Sequence, residues 1–248
     1  MRDGDGVTSD PMLRVAEVFG PTLQGEGPGA GRPAVFVRLS GCNLDCAWCD
    51  TPFTWDWTGK NGTAYDQATE STRVPVSELV DQVRALSVGM PTRPAVVITG
   101  GEPMVQRAAV SALAAELTTS GCRVEVETNG TRSAVGFPPE VTFNVSPKLS
   151  SSGVDAARAI RPDVLDWYVA EGSACFKFVA ADLDALEEVD RVVAAVGIPP
   201  GMVWVMPEGR DAGTVNAGAR LLAEGVIARG YNLSHRLHVL LWGDERGR

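Results

Sequence analysis

A buried strand that leads directly into a loop with three cysteines decides the fold of this chain. Residues 34–50 read AVFVRLSGCNLDCAWCD, and the β-branched and aromatic residues up to Leu39 are typical of a strand. Cys42, Cys46 and Cys49 follow within eight residues. The cysteine loop therefore lies just beyond the carboxyl end of a predicted strand.

Strand and helix patterns alternate along the rest of the chain. The strand patterns cover residues 13–19, 34–39, 95–99, 123–127, 141–145, 175–179, 203–206 and 237–241. The helical patterns cover residues 76–86, 105–120, 163–169, 182–196 and 212–228. Strands that alternate with helices predict βαβ units with a parallel sheet.

The well-formed helical patterns are fewer than the strands, which excludes the strict pairing of strands and helices in a closed barrel. The sequence therefore predicts an α/β fold in the form of an incomplete, TIM-like barrel with parallel strands and outer helices. In barrels of this kind the chemistry takes place at the carboxyl ends of the strands. We expect the functional site at that edge.

The composition is that of a globular chain that can bury a core. Of 248 residues, 44% are hydrophobic and 21% are charged, which excludes disordered and fibrous classes. The 31 acidic and 22 basic residues give a net charge of −9, which disfavours nucleic acid as a partner because phosphate binding depends on basic patches. No apolar stretch approaches the roughly 20 residues of a membrane span. We expect a cytoplasmic protein with a small-molecule partner, no nucleic acid and no membrane.

The predicted domain organisation is simple. Residues 1–11 read as a flexible tail, and residues 12–248 as a single domain, because no linker or shift in composition divides them. The polar segment 54–73, directly after the cysteine loop, has no regular period and is interpreted as a lid or variable insertion.

The C-x3-C-x2-C spacing favours an iron–sulfur cluster. Three thiolates on one tight loop can each hold one iron of a [4Fe–4S] cluster and leave the fourth iron open for a substrate or cosubstrate. Cys122 and Cys175 stand apart and are expected to be small buried hydrophobic residues. The alternatives are three buried structural cysteines, or a zinc site completed from far along the chain, where His235 and His238 are the histidines.

Four further motifs follow predicted strands, namely TGGEP at 99–103, ETNG at 127–130, SPK at 146–148 and MPEG at 206–209. Each of them, taken alone, can be an ordinary turn. The paired glycines of the first motif can expose backbone groups to a bound amine, and a carboxylate such as Glu127 can accept hydrogen bonds from hydroxyls.

The cysteine spacing, with an aromatic residue before the last cysteine, resembles the radical S-adenosylmethionine enzymes. That resemblance implies a partial barrel of the radical SAM type, a [4Fe–4S] cluster, and S-adenosyl-L-methionine bound to the open iron. One-electron reduction of the bound cosubstrate would then yield a 5′-deoxyadenosyl radical. The cosubstrate-binding residues that it implies are Trp48, Asp50, Gly101, Glu127, Ser146, Pro147, Lys148, Met206, Pro207, Glu208 and Gly209.

The segments EVFGPTLQGEG at 17–27 and GRPAVFVRLSGCNL at 31–44 resemble the 7-carboxy-7-deazaguanine synthase family more narrowly. Together with the strand-end motifs, the resemblance spans nearly the whole chain. It implies a radical lyase that converts 6-carboxy-5,6,7,8-tetrahydropterin to 7-carboxy-7-deazaguanine and releases ammonia, in queuosine or 7-deazapurine biosynthesis. Hydrogen abstraction at C6 would start the ring contraction, so no acid or base catalyst is assigned.

The same resemblance implies substrate and metal residues. Substrate binding falls to Leu23, Gln24, Gly25, Arg38, Thr99 and His238, with the planar fork of Arg38 on the substrate carboxylate. Thr51 would hold a Mg²⁺ ion that bridges to this carboxylate. A homodimer and an electron-donor protein of the flavodoxin or ferredoxin type are further implied partners.

One region departs from the family pattern. Family members end a few residues after a Leu-His-Lys-type segment, with the terminal carboxylate near the substrate, whereas this chain continues from His238 to Arg248. Two other functions stay open. An activating enzyme that places a glycyl radical on a partner protein would share the cluster loop, although the loop at 23–26 and Arg38 argue against it, and a zinc-binding interaction module would share the cysteines.

Overall fold

A computed structural model describes residues 10–248, which form one sheet of nine strands with helices packed on its outer face. The strands are β1 Met12–Leu23, β2 Pro33–Leu39, β3 Thr72–Pro75, β4 Ala95–Gly100, β5 Arg123–Thr128, β6 Thr142–Val145, β7 Ala174–Ala180, β8 Val203–Pro207 and β9 Asn232–Leu233. The helices are α1 Gln67–Glu70, α2 Val76–Leu86, α3 Arg107–Thr119, α4 Ala156–Ala159, α5 Pro162–Glu171, α6 Leu183–Val196, α7 Ala212–Arg229 and α8 Leu237–Trp242.

The sheet order is β3-β1-β2-β4-β5-β6-β7-β8-β9. From β2 to β9 every neighbouring pair is parallel, while β1 and β3 are antiparallel and lie at one edge. Helices α3, α5, α6 and α7 each connect two successive parallel strands. The predicted βαβ architecture is therefore confirmed.

The sheet is open, but its two end regions approach each other. In the part of the chain that the structure describes, β3 and β9 end the sheet order and do not pair with each other. The segments that follow β1 and β9 nevertheless meet, since the Gly27 N–H donates to Ser234 Oγ at 2.7 Å and the Leu237 N–H donates to the Gly25 carbonyl at 2.9 Å. This is the incomplete barrel that the sequence predicts.

The two faces of the sheet differ sharply in polarity. Side chains alternate along each strand, and one set, including Val37, Ile98 and Phe178, packs with the helices in the main core. The opposite set faces the barrel interior and is largely polar: Arg38, Thr99, Glu125, Glu127, Asn144 and Lys177. A polar interior beside a solid outer core is what a barrel needs in order to bind a polar molecule.

The outer helices form because their apolar residues recur at helical spacing. On α6 the residues Leu186, Val189, Val192 and Val196 are buried, which is one face of the helix. The Asp182 side chain caps its first turn by accepting from the Ala185 N–H at 2.9 Å. None of the helices between residues 10 and 248 combines the length and the hydropathy needed to cross a bilayer.

The predicted strand at 237–241 is wrong, because this segment is helix α8. A short continuous run of apolar residues gives no period that separates a strand from one or two turns of helix. In the structure the helix buries Val239 and leaves Leu241 half exposed, and the last strand is the two-residue β9.

Two segments near the sheet edge are more ordered than the sequence predicts. Most of the predicted tail 1–11 lies outside the described residues, but Pro11 accepts a hydrogen bond from the Val76 N–H at 2.9 Å and Asp10 accepts one from Ser77 Oγ at 2.6 Å. The segment 54–73 contains helix α1, and its last two residues begin β3. It therefore extends the sheet as well as covering the cysteine loop.

Candidate active site at the carboxyl ends of the strands

The three cysteines of the loop after β2 lie together on a small apolar cluster. Cys46 is buried, and Cys42 and Cys49 are half-buried; all three pack with Leu44 and Val154. No disulfide joins any of the cysteines in the described part of the chain. The loop therefore presents three free thiols at one place.

The surroundings of these thiols suit metal-bound thiolates. Burial raises the pKa of the Cys42 thiol to about 12 and also raises the pKa of Cys46, so the thiolates need a bound cation for stability. The Leu44 N–H donates to Cys42 Sγ at 3.4 Å, and Trp55 Nε1 donates to Cys49 Sγ at 3.3 Å. Such N–H···S hydrogen bonds are the supporting contacts that tune iron–sulfur clusters.

The paired glycines after β4 pack against the backbone of the cysteine loop. A Cβ atom on Gly101 would overlap with the Gly41 carbonyl, and one on Gly100 would overlap with the Leu39 backbone. The Gly101 N–H donates to the Leu39 carbonyl at 3.1 Å and the Glu102 N–H donates to the Gly41 carbonyl at 2.9 Å. The glycines are therefore required for this close backbone approach, which the sequence interpretation missed. The N–H of Gly101 is already occupied and is not free for a ligand.

Glu102 ties the TGGEP motif to the ETNG motif. Its buried carboxylate accepts from the Met104 N–H at 2.9 Å, from Thr128 Oγ1 at 2.8 Å and from the Asn129 N–H at 2.6 Å. Asn129 Nδ2 in turn donates to Asn43 Oδ1 in the cysteine loop at 3.0 Å. One hydrogen-bonded network therefore fixes both strand-end motifs against the loop.

The histidines are engaged away from the cysteine loop. His235 Nε2 lies 3.1 Å from Asn216 Oδ1, and its Nδ1 accepts from the Arg236 N–H. His238 lies beside Gly25, in the loop after β1. Among residues 10–248, no three Cys, His, Asp or Glu side chains converge closely enough to hold one metal ion. A zinc site needs such convergence, whereas in a four-iron cluster each cysteine binds a different iron.

The barrel interior brings predicted substrate and cosubstrate residues together. Glu127 accepts hydrogen bonds from Gln24 Nε2 at 3.3 Å and from Thr99 Oγ1 at 2.8 Å. Lys177 Nζ lies 3.8 Å from the same carboxylate. Because Gln24 and Thr99 were assigned to substrate and Glu127 to the cosubstrate, the two predicted subsites adjoin.

A mostly buried carboxylate next to this group, that of Glu26, lies between two cations. Glu26 forms ion pairs with Lys177 and, at 3.1 Å, with Arg236 Nε. Burial alone would raise the pKa of Glu26, but the two cations outweigh burial and hold this pKa well below its usual range. In the same way Glu26 and Glu127 keep Lys177 charged despite its burial, since they raise its pKa.

His238 lies at the start of α8 and not at a strand end. Its imidazole packs so closely against Gly25 that any Cβ there would overlap with the ring, and its Nε2 is 4.0 Å from Glu26 Oε1. Burial lowers the pKa of His238, so the ring is neutral at neutral pH. It borders the same interior as Gln24.

Arg38 faces the barrel interior from β2. Its Nε donates to Glu17 Oε1 at 2.7 Å, and its guanidinium lies 5.5 Å from the centre of the Phe19 ring. Glu17 Oε2 accepts from Arg246 Nε of the C-terminal extension at 2.8 Å, and Arg246 also binds Glu70. The extension thus reaches Arg38 through Glu17.

Most of the remaining predicted residues follow the carboxyl ends of the parallel strands. Lys148 Nζ donates to Ser146 Oγ at 2.9 Å and lies 5.6 Å from the ring centre of Trp48, whose buried Nε1 has no partner among the described residues. Thr51 Oγ1 is 3.8 Å from Cys49 Sγ. Pro147, Met206, Pro207, Glu208 and Gly209 lie at the carboxyl ends of β6 and β8. Leu23 ends the antiparallel β1 and pairs with Pro33 at the start of β2, so it lies at the opposite edge of the sheet from the one that the sequence predicts for the site. The orphaned indole N–H beside the cysteine loop marks a place for a polar ligand.

Comparisons with known proteins agree with this geometry. A model of the radical SAM superfamily matches residues 36–142. A 7-carboxy-7-deazaguanine synthase from Pyrobaculum aerophilum is 37% identical over 250 residues, which cover 98% of this chain and 100% of that protein. The chain belongs to the 7-carboxy-7-deazaguanine synthase family. A second synthase, from Hyperthermus butylicus, is also 37% identical and covers 93% of both chains.

Solved structures extend the family assignment to the fold. The crystal structure of QueE from Escherichia coli matches with a TM-score of 0.69 at 27% identity, over 92% of this chain and 95% of that one. SuiB from Streptococcus suis, solved bound to S-adenosylmethionine, matches with a TM-score of 0.50 at 15% identity over 77% of this chain and 47% of that one, and shows a shared fold alone. The partial barrel of this synthase family member is therefore a radical SAM fold.

Sequence reasoning missed Glu26, Lys177 and Arg236. A signal existed for Lys177, since a lysine in the middle of the apolar strand ACFKFVA at 174–180 has to point into the barrel and find a partner there. Arg236 had no comparable signal, because its segment was predicted as the approach to a strand. The Asp50 carboxylate that it binds at 2.6 Å was assigned only to the cosubstrate.

We predict that Glu26→Gln lowers the free energy of unfolding by about 1.5–3 kcal/mol at neutral pH, since two buried cations each lose one of their carboxylate partners and keep only Glu127 or Asp50. Denaturant unfolding measures this change. The matched control is Glu187→Gln on the exposed side of α6, which should change stability very little.

The effect of Glu26→Gln should depend on pH in one direction. Because the folded-state pKa of Glu26 is lowered, its contribution is complete above the unfolded pKa of about 4.3 and is lost as the pH falls through the folded value. The difference between the wild type and Glu26→Gln should therefore stay constant near neutrality and shrink in acid. A difference that persists undiminished in strong acid would contradict the ion pairing.

Proposed function

We propose that this chain is a radical SAM lyase that converts 6-carboxy-5,6,7,8-tetrahydropterin to 7-carboxy-7-deazaguanine and releases ammonia, in queuosine or 7-deazapurine biosynthesis. The observation that carries the proposal is the near full-length identity to 7-carboxy-7-deazaguanine synthases together with a polar barrel interior beside three free thiols. These relatives are named after the product of the proposed reaction.

The cysteine loop is the proposed seat of the [4Fe–4S] cluster. Cys42, Cys46 and Cys49 would each bind one iron, supported by the N–H donors on two of the sulfur atoms. When bound together, the cluster and S-adenosyl-L-methionine supply a one-electron cleavage that yields a 5′-deoxyadenosyl radical for hydrogen abstraction from the substrate.

The chain's part is to hold the cosubstrate and the substrate in contact. Gly101, fixed against the cysteine loop, would offer its carbonyl to the methionine amino group, and Glu127 would accept hydrogen bonds from the ribose hydroxyls. The unpartnered Nε1 of Trp48 supports a polar ligand beside the loop. The other proposed cosubstrate residues are Asp50, Ser146, Pro147, Lys148, Met206, Pro207, Glu208 and Gly209.

The substrate is proposed to lie in the barrel interior against Leu23, Gln24 and Gly25, with Thr99 and His238 at its edges. The adjacency of Gln24, Thr99 and Glu127 supports a substrate position beside the cosubstrate. The free end of the Arg38 guanidinium would bind the substrate carboxylate, and Glu17 would keep that guanidinium oriented.

Three finer features of the proposal, the Mg²⁺ ion, the electron donor and the homodimer, rest on the family resemblance. Thr51 would bind a Mg²⁺ ion, for which a hydroxyl oxygen is a suitable hard ligand. An electron-donor protein of the flavodoxin or ferredoxin type would reduce the cluster, and the enzyme would act as a cytoplasmic homodimer with one catalytic domain over residues 12–248.

The proposed function is tested by anaerobic turnover with a reductant, S-adenosyl-L-methionine and the carboxytetrahydropterin. We expect 7-carboxy-7-deazaguanine, ammonia and dependence on both the reductant and the cosubstrate. Formation of 5′-deoxyadenosine without any deazaguanine would show that the substrate assignment is wrong and that the radical cleavage of the cosubstrate still occurs. A glycyl-radical activating enzyme would give that second result.

We predict that Cys46→Ala abolishes the brown iron–sulfur absorption and all turnover, because one of three ligands to the cluster is lost. Iron and sulfide analysis of anaerobically reconstituted protein checks the first effect. Cys122→Ala is the matched control, since this half-buried thiol packs against the main core away from the loop. A Cys46→Ala protein with full cluster content and activity would refute the assignment.

We predict that Arg38→Met lowers kcat/KM for the carboxytetrahydropterin by about 10- to 100-fold, the worth of hydrogen bonds to a charged group. The loss should lie mainly in KM. Inhibition by a tetrahydropterin without the carboxyl group should respond little, because it lacks the group that Arg38 binds. Arg73→Met on the exposed edge strand β3 is the control, and equal losses for both pterins would contradict the assigned contact.

A further inference from the structure

Arg236 lies in the segment between β9 and α8, which contacts the loop after β1. Its side chain is about 10% exposed, so it is a buried cation. The guanidinium does not serve as an anchor for one neighbour alone, because each of its three nitrogen atoms donates to a different segment.

The three contacts are short and well directed. Nε donates to Glu26 Oε1 at 3.1 Å, Nη2 donates to Asp50 Oδ2 at 2.6 Å, and Nη1 donates to the Gly209 carbonyl at 2.7 Å. These partners belong to the loop after β1, the cysteine loop and the loop after β8. One side chain therefore joins three separate strand-end loops.

These loops divide between the two ligands of the proposed reaction. Glu26 directly follows Gln24 and Gly25, which are assigned to the substrate, whereas Asp50 and Gly209 are assigned to the cosubstrate. A planar guanidinium with five N–H groups in a fixed fork can satisfy all three partners at once. A lysine ammonium at the same position is a single point with a different reach and cannot.

We propose that Arg236 is a positioning residue that couples the substrate loop, residues 24–26, to the cosubstrate loops around Asp50 and Gly209. This coupling would ensure that S-adenosyl-L-methionine is cleaved only when the pterin lies in position to react. The inference rests on the proposed function. Without Arg236, Glu26 keeps Lys177 as its partner, but the substrate loop loses its direct link to Asp50 and Gly209. Cosubstrate cleavage should then proceed with the substrate out of place.

The test compares the wild type with Arg236→Met and Arg236→Lys in anaerobic turnover of the cluster-loaded enzyme with both ligands. The amounts of 5′-deoxyadenosine and of 7-carboxy-7-deazaguanine are measured together. We expect the ratio of released 5′-deoxyadenosine to deazaguanine to rise about tenfold in Arg236→Met, which corresponds to about 1.4 kcal/mol in relative barriers. Arg236→Lys should give a smaller rise in the same direction.

The control for lost structure is Arg229→Met. Arg229 binds both carboxylate oxygens of Asp190, at 2.8 and 2.9 Å, and ties α7 to α6 outside the site. Its loss should lower the melting temperature and leave the product ratio unchanged. If Arg236→Met does not retain its cluster, Arg236→Lys and Arg236→Gln carry the test, because each weakens the link without emptying the position.

The outcomes separate the inference from the proposed function. A wild type that makes no deazaguanine overturns the proposed function and this inference with it. A wild type that makes deazaguanine, with cluster-loaded Arg236 variants that keep the wild-type ratio, overturns the inference alone. A higher ratio in Arg229→Met as well would show that general loosening, and not Arg236, sets the ratio.

Discussion

The buried carboxylate of Glu26, held between Lys177 and Arg236, is the interaction on which the open barrel depends. No backbone ladder joins the two ends of the described sheet, so the loop after β1 is held to the far end by single hydrogen bonds, such as Leu237 N–H to the Gly25 carbonyl, and by these ion pairs. Buried charges cost several kcal/mol each in desolvation, and only close partners offset that cost. Two cations on one carboxylate, with Asp50 and Glu127 nearby, provide that compensation.

The cysteine loop is held by a different kind of force. Gly101 and Glu102 fix it through backbone hydrogen bonds to Leu39 and Gly41, and the Glu102 carboxylate extends this to the ends of β5. Neither set of contacts depends on ionised side chains from the substrate loop. The cysteine loop is thus fixed by backbone contacts and the Glu102 network, whereas the loop after β1 is held by long-range ion pairs that Arg236 connects to Asp50.

How much the sequence predicted follows from the distance over which each signal acts. The cysteine loop and the strand-end motifs are local, and hydrophobic periodicity placed the strands and helices around them. Glu26 pairs with Lys177 across 151 positions and with Arg236 across 210, and no local pattern encodes such a pair. Helix α8 was mistaken for a strand because its short apolar run has no resolvable period. Its placement decides where Arg236 and His238 point.

The C-terminal extension, residues 239–248, supports Arg38 through a series of ion pairs. Arg246 lies 3.8 Å from the Phe53 ring centre and also donates to Glu17. Glu17 holds Arg38 with its other oxygen, so the extension acts on the orientation of Arg38. Exposed ion pairs contribute little to stability alone. However, Glu17 is held by both Arg246 and Arg38, and it restricts the orientation of the Arg38 guanidinium. The binding of an anion to Arg38 would therefore cost less conformational entropy.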